Sequence, residues 1–349
     1  MRTLRNLLTI IGAMDQTAPT SPTRESGSSV EREQTGTIPV LPLGVYRLRF
    51  AGEAAARRFA ESAWRGAIGH ALRRIACVTR EKHCPDCLLY RSCGYAYVFE
   101  TPPPANAAKM RLYNHVPHPF SLRVEEDSDA SGCTLNLNLF GRGNAHLALI
   151  VYALIQAAAG SRGISGRQYA LQCVEQESVP GSGEWHSIYE PKARLEPAAA
   201  ASPLIPPVPA STQIEIRTPL RVKRSGQHVG PEQFQFADLF GTLLRRISML
   251  TCFHTDTPLE TDFREINQRA KTINAATELT WCDQTRYSAR QGTEMQLGGV
   301  LGTLTLSDAD LAPFWPYLWI GQWTHAGSAA TMGLGWYQLA SLRNQPAAS

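Results

Sequence analysis

The chain has 349 residues, of which 43% are hydrophobic and 18% charged, with a formal net charge of +4. That is ample material for a core and too little charge for wholesale disorder; the length suits about two domains, and no apolar run approaches the ~20 residues of a membrane span. Charge is spread rather than massed, with 16 Lys/Arg against 13 Asp/Glu in residues 40–190 and 12 of each in 213–349, so any nucleic-acid binding has to rest on local clusters.

Residues 1–37 are rich in small polar and charged side chains beyond the opening MRTLRNLLTIIGAMD, and read as a flexible extension. Asp15 arrives before a small-residue cleavage site, which argues against a secretory signal and predicts a cytoplasmic, reducing setting for the eight cysteines. A first domain is expected over 38–190. It opens with a strand at 43–50 (LGVYRLRF) and a helix at 54–76, where Trp64, Ile68, Ala71, Leu72 and Ile75 form one apolar stripe. The opposite face carries Gly66, expected to admit a close backbone, with His70, Arg73 and Arg74. Further strands are predicted at 96–100, 120–124, 134–140 and 169–176, and a helix at 145–159 ends in a glycine-rich turn. Residues 191–212, with six prolines and many alanines, read as a semi-extended linker.

The second half, 213–349, repeats the grammar. Strands are expected at 213–218, 278–288, 299–306 and 336–339. An amphipathic helix spans 234–250 and carries Arg245 and Arg246; a proline-broken helix covers 309–322. Each half therefore ends helix, Gly-rich loop, strand. Strands are not regularly followed by crossover helices, so the pattern favours two α+β sandwiches of antiparallel sheet over a doubly wound parallel sheet.

Three motifs could carry chemistry. Cys77-x6-Cys84-x2-Cys87-x5-Cys93 offers four soft thiolates at spacings that suit a structural, tetrahedral zinc ion; an iron–sulfur cluster would use the same ligands. Nothing in that spacing implies an open, catalytic coordination position. The loop 324–337 (THAGSAATMGLGWY) can expose backbone N–H groups at Gly327, Gly333 and Gly335 to a phosphate-rich ligand, yet it is neither a P-loop nor a Rossmann fingerprint. In 281–291, Arg286, Tyr287 and Arg290 interleave as single-stranded RNA recognition requires, a pattern that an exposed polar sheet face would equally produce.

The segments RYSARQGTEMQLGGVLGTLTL (286–306) and GQWTHAGSAATMGLGWYQL (321–339) resemble the C-terminal domain of the sixth CRISPR-associated (Cas) family, precursor-crRNA-processing endoribonucleases of the RAMP superfamily. RGAIGHALRRIAC, CPDCLLYRSCGYAYVFE, HVPHPFSL, LNLFGRGNAHLALIVYAL, TPLRVK and LLRRISML resemble blocks of its larger members, so the likeness spans about 40–340. It implies tandem ferredoxin-like (RRM-like) domains, the first interrupted by the Cys-rich insertion 77–93. It also implies cleavage of CRISPR repeat RNA without a catalytic cofactor. The ribose 2′-hydroxyl would attack the adjacent phosphorus, leaving a 2′,3′-cyclic phosphate and a 5′-hydroxyl. Relatives often place an acid or base on or after the first helix, which points to His70, with Arg73 and Arg74 beside it at i+3 and i+4 to stabilise charge. His325 beside the glycine loop is the runner-up, His254 the third choice, and Tyr287 could orient the ribose. Arg245, Arg246, Arg286 and Arg290, with the loop glycines, complete the expected RNA contacts. His115 and His118 flank Pro117 and read as the proline-rich approach to a strand. Repeat RNA is the expected partner, with effector-complex subunits a further one. A non-catalytic crRNA-binding RAMP subunit is the alternative, since fold, loop and arginines would serve either role.

Overall fold

The computed structural model describes residues 38–52, 60–103, 116–128, 131–283, 285–288, 293–307 and 310–341. In the first half, β1 (Leu43–Ala51), α1 (Glu61–Ala76), β2 (Phe120–Glu126), β3 (Gly132–Phe140), α2 (Leu147–Ala159) and β4 (Ala170–Glu177) follow one another. They build an antiparallel sheet in the order β2-β3-β1-β4, extended at its edge by β5 (Trp185–Tyr189). This β-α-β-β-α-β order, with the first strand central, is the ferredoxin-like arrangement.

The second half repeats it. After β6 (Thr212–Leu220) comes a two-residue hairpin, β7 (Lys223–Arg224) and β8 (Gln227–His228); then α3 (Phe236–His254), α4 (Phe263–Ala270), β9 (Ala276–Cys282) and a second hairpin, β10 (Thr285–Ser288) with β11 (Thr293–Gln296). The chain closes through β12 (Gly299–Leu306), α5 (Trp315–Thr324) and β13 (Tyr337–Ser341). Its four-stranded antiparallel sheet runs β13-β6-β12-β9, so β6 takes the central place that β1 has in the first half. The expected α+β pair of ferredoxin-like units is thus present. Among the described residues no helix is long and apolar enough to cross a membrane.

The apolar stripe predicted for α1 is buried: Trp64, Ile68, Ala71 and Leu72 face the sheet, and Trp64 sits 4.7 Å from the Phe50 ring and 5.5 Å from Tyr169. Burying such a side chain contributes about 1.5–3 kcal/mol, enough to fix the helix without a side-chain cap. Gly66 does not admit a backbone, because the space a Cβ would occupy there is open. The close approach is at Gly69, where a Cβ would stand 2.9 Å from the Phe99 ring.

Two further expectations are corrected. Residues Ala96–Glu100 form a π-helical turn rather than a strand, with Ala96, Val98 and Phe99 all buried. The strand expected over 278–288 is two strands separated at Asp283. The linker is strapped down along its length: Leu43 and Ala201 form a bridge, Leu204 N–H donates to Pro180 O at 2.9 Å, and Trp315 Nε1 donates to Pro206 O at 2.8 Å. The halves also share apolar packing, since Leu41, Leu43, Val45 and Phe140 lie in the same buried cluster as Leu243, Ile247 and Tyr317.

Candidate RNA interface and cleavage site

The glycine-rich loop joins α5 to β13 and is the main plug between the two halves. Its backbone reverses through positive φ at His325, Gly327, Ala329, Gly333 and Gly335. Gly335 has no alternative, because a Cβ there would lie 1.8 Å from Ala326 O. Thr218 pins the loop from β6: its Oγ1 donates to Gly333 O at 2.7 Å and accepts from Trp336 N–H at 2.8 Å. At its tip a short 3-10 turn (Ala330–Met332) meets the first half. Arg65, on the first turns of α1, donates through Nε to Thr331 Oγ1 at 3.0 Å. The buried Glu61 carboxyl lies against Gly333; burial raises its pKa, and its Oε2 has no partner among the described residues.

Arg65 connects this loop to a histidine. Its Nη2 lies 3.5 Å from His118 Nε2, and His118 Nδ1 lies 2.7 Å from Thr101 Oγ1. With Nε2 facing a guanidinium donor, the proton sits on Nδ1 and is donated to Thr101. Burial, reinforced by Arg65 and Arg246, pushes the His118 pKa down to about 3, so the imidazole is neutral with its Nε2 lone pair turned toward Arg65. Deeper in the interface the Arg246 head is enclosed. Its Nε donates to Thr324 O at 2.5 Å, Nη2 has no partner among the described residues, and burial lowers its pKa to about 10.

On the other side of the loop, the two sheets enclose a cleft of about 320 Å³. Two arginines are laid flat on tryptophans there. The Arg47 guanidinium is 3.7 Å from the Trp185 ring centroid, and that of Arg123 is 3.9 Å from Trp336. Trp319 Nε1 and Asn136 Nδ2 also line the cleft, and both are buried donors without a partner among the described residues. Such donors cost stability unless something accepts from them. Stacked cations and unused N–H groups in one groove suit a strand with a charged backbone and flat bases.

The residues singled out from the sequence fall in several places. His70 is exposed on α1, five residues past Arg65; at 100° per residue that is about 140° around the helix from the face that meets the loop. Arg74 and Arg245 are exposed, whereas Arg73 donates to Glu81 O and Lys82 O at 2.8 and 2.9 Å and so holds the cysteine segment. His325 is 1% exposed; its Nδ1–H donates to Leu334 O at 3.2 Å and burial lowers its pKa to about 3, so it braces the loop from within. His254 is also 1% exposed, bridging Tyr97 Oη at 2.9 Å and Pro117 O at 2.8 Å across the two halves. Arg286 and Tyr287 lie on β10, an element whose backbone alone is described, and Arg290 and His115 lie outside the described residues. Gly327, Gly333 and Gly335 shape the loop through positive φ, but the Gly333 and Gly335 N–H groups expected to meet phosphate donate instead to Ala330 O and Pro219 O, each at 3.1 Å. Cys77, Cys84, Cys87 and Cys93 are half-buried free thiols around one pocket. Sequence reading missed Arg47, Arg65, Arg123, Trp185 and Trp336, and it took His118 for backbone scaffolding. The one available signal was HVPHPF, two histidines ahead of a strand.

Comparison with known proteins agrees with this architecture. Residues 41–200 match a family model described as an N-terminal domain (AF_1859_N), and residues 214–337 match the model of the CRISPR-associated endoribonuclease Cas6. No curated protein sequence matches. Among solved structures, a Cas6 (TTHB231) product complex superposes with a TM-score of 0.53 at 14% identity, covering 86% of this chain and 99% of that one. A Cas6 (TTHA0078) product complex gives 0.50 at 13% identity, covering 86% and 100%. At those identities the structural likeness speaks for the fold, and the lineage is shown for the C-terminal half: residues 214–337 match the CRISPR-associated endoribonuclease Cas6 family.

Proposed function

We propose that this protein cuts CRISPR repeat RNA to release crRNAs, with the ribose 2′-hydroxyl as nucleophile and no metal ion in the chemical step. The observation that carries the reading is the Arg65–His118 pair held against the tip of the glycine-rich loop. In this scheme Nε2 of the neutral His118 turns from Arg65 to the ribose and takes the 2′-hydroxyl proton; the 2′-oxygen bonds to phosphorus as the bond to the 5′-oxygen breaks, the imidazolium returns that proton to the leaving 5′-oxygen, and Arg65 balances charge on the phosphorane. The products are a 2′,3′-cyclic phosphate and a 5′-hydroxyl. The cleft of Arg47, Arg123, Trp185 and Trp336 holds flanking single-stranded nucleotides. The arrangement is compatible with an assembly in which the enzyme keeps its product and meets effector subunits.

The test is incubation of the purified protein with the host's own repeat RNA in EDTA, with the cut ends mapped. Cleavage in EDTA, abolished by a single 2′-deoxy substitution upstream of the scissile phosphate, is the expected result. Binding without cleavage would assign the chain to the non-catalytic crRNA-holding class. Cleavage of the 2′-deoxy substrate would overturn the nucleophile.

A further inference from the structure

The cysteine segment between α1 and the π-helical turn plays no part in the reading above. Residues 77–93 carry no core of their own: the 3-10 turn Cys84–Asp86 has no buried residue, and Val78 and Leu88 are 82% and 95% exposed. A segment that buries so little cannot offset its ordering entropy by packing, and chains in this position are usually held by a staple. Its bonds run within the segment or to its immediate neighbours. Arg73 holds Glu81 O and Lys82 O, Thr79 Oγ1 lies 3.2 Å from Cys87 Sγ, and Cys87 N–H closes the tight turn on Cys84 O at 3.1 Å.

What the segment does possess is convergence. Cys77 from the end of α1, Cys84 and Cys87 from the turn, and Cys93 from the approach to the π-helical turn all line one cavity of about 200 Å³. All four are reduced, and all are neither fully buried nor fully exposed. Among the described residues, no three His, Cys, Asp or Glu side chains already stand as a finished metal-holding group. The thiols ring the cavity without closing on a point, and binding must draw them in. Coupling of that kind between metal binding and local order is usual for small structural sites.

We propose that Cys77, Cys84, Cys87 and Cys93 together bind one structural Zn²⁺ as a tetrathiolate. Each sulfur loses its proton on binding, and Cys87 exchanges its Thr79 contact for the metal. The Cys84-Pro-Asp-Cys87 turn supplies two ligands from one knuckle, and the other two come from the ends of the flanking elements. The site is a positioning device for the rest of the molecule. The π-helical turn begins three residues after Cys93; it carries Tyr97, bonded to His254, and it leads directly into Thr101, bonded to His118.

The experiment is elemental analysis of the full-length protein, purified without added chelator or affinity metal, followed by Co²⁺ exchange and visible spectroscopy. The expected result is about one zinc per chain. The cobalt form should show thiolate-to-cobalt charge transfer and tetrahedral d–d bands. Cys84→Ser/Cys87→Ser should lower retained zinc at least tenfold. Because that variant could fail to fold, zinc release is also followed on the unaltered chain by titration with a mercurial; four thiols should be consumed per zinc freed. Iron with a broad absorption near 400 nm would overturn the zinc assignment in favour of a cluster. A folded chain with no retained metal and no cobalt spectrum would overturn the site altogether. None of these outcomes depends on RNA cleavage, so the zinc proposal and the ribonuclease proposal fail separately.

Discussion

The two sides of the glycine-rich loop are built on opposite principles. On the side of α1, ring nitrogens are enclosed and partnered: His118 by Thr101 and Arg65, and His254 by Tyr97 and Pro117 O, while His325, bonded to Leu334 O, sits between that side and the cleft. On the side of the cleft, arginines lie on tryptophan faces, and the donors of Trp319 and Asn136 are left unused. A partnered group in a fixed tautomer is suited to moving one proton in one direction. An unused donor in a groove is suited to holding whatever arrives. Under the proposed function the difference separates a place for chemistry from a place for grip, and each prediction below acts on one side only.

The largest effect is expected at His118. His118→Ala should lower the single-turnover cleavage rate by about 10²–10⁴-fold, the usual contribution of a positioned acid or base, while repeat-RNA affinity changes little. His70→Ala, on the far face of the same helix that carries Arg65, should cut at close to the wild-type rate. The reverse outcome would return the proton transfer to α1. The pH profile of kcat/KM gives an independent reading. A histidine already neutral down to about pH 3 leaves no acid limb near pH 6–7, whereas a histidine in water would produce one near ~6.5.

Stability should respond to acid on the enclosed side. Burial holds the pKa of His254 at about 4 and of His325 at about 3, both below the value near ~6.5 of an unfolded chain. Between those limits the unfolded state binds more protons, so stability is complete above pH ~6.5 and falls as the pH drops toward the folded values. Each histidine contributes a slope of about 1.4 kcal/mol per pH unit in that window. Thermal melts at pH 7.5, 6 and 5 should therefore show a steep loss of Tm. His325→Gln, which keeps a donor near Leu334 O, should flatten the slope even if it lowers the starting Tm.

How much of this could be read beforehand depends on how far apart the interacting residues lie. Residues 299–306 announced β12 through local alternation, and the stripe from Trp64 to Leu72 announced α1, because each pattern is complete within a few residues. The Ala96–Glu100 turn was misread because aromatic and β-branched residues in alternation favour a strand locally, while tertiary packing buries consecutive Val98 and Phe99 on a tightly wound turn. The linker's composition gave its extended form but could not reveal that Trp315 would anchor it. His118 was set aside for the same reason: its partner Arg65 is 53 residues away, and Arg65 in turn meets Thr331 across 266 residues. The loop glycines were legible because positive φ is a local demand. The histidine that the loop approaches was not, because nothing local distinguishes it from scaffolding.

On the gripping side, Arg123→Ala and Trp336→Ala should each weaken binding of repeat RNA, by about 1–3 kcal/mol for a lost stacking platform, with a shallower salt dependence for the arginine variant alone. Filter binding at two salt concentrations measures both, and single-turnover cleavage at saturating enzyme should stay close to wild type. A loss of cleavage at saturation would mean that the two sides are not separable.

The smallest effect expected is a gain, and it checks that α1 is only a scaffold at its open face. Gly66 sits mid-helix with nothing near the position of a Cβ, so Gly66→Ala removes backbone entropy from the unfolded chain without a clash. It should stabilise the fold by about 0.5–1 kcal/mol, read as a small rise in the denaturant midpoint, and leave cleavage unchanged. Gly69→Ala, one turn further along and 2.9 Å from the Phe99 ring, should do the opposite, because the displaced ring belongs to the same turn that leads into Thr101 and His118. A loss of cleavage confined to Gly69→Ala would tie the π-helical turn, and not the exposed helix face with His70, to the chemistry.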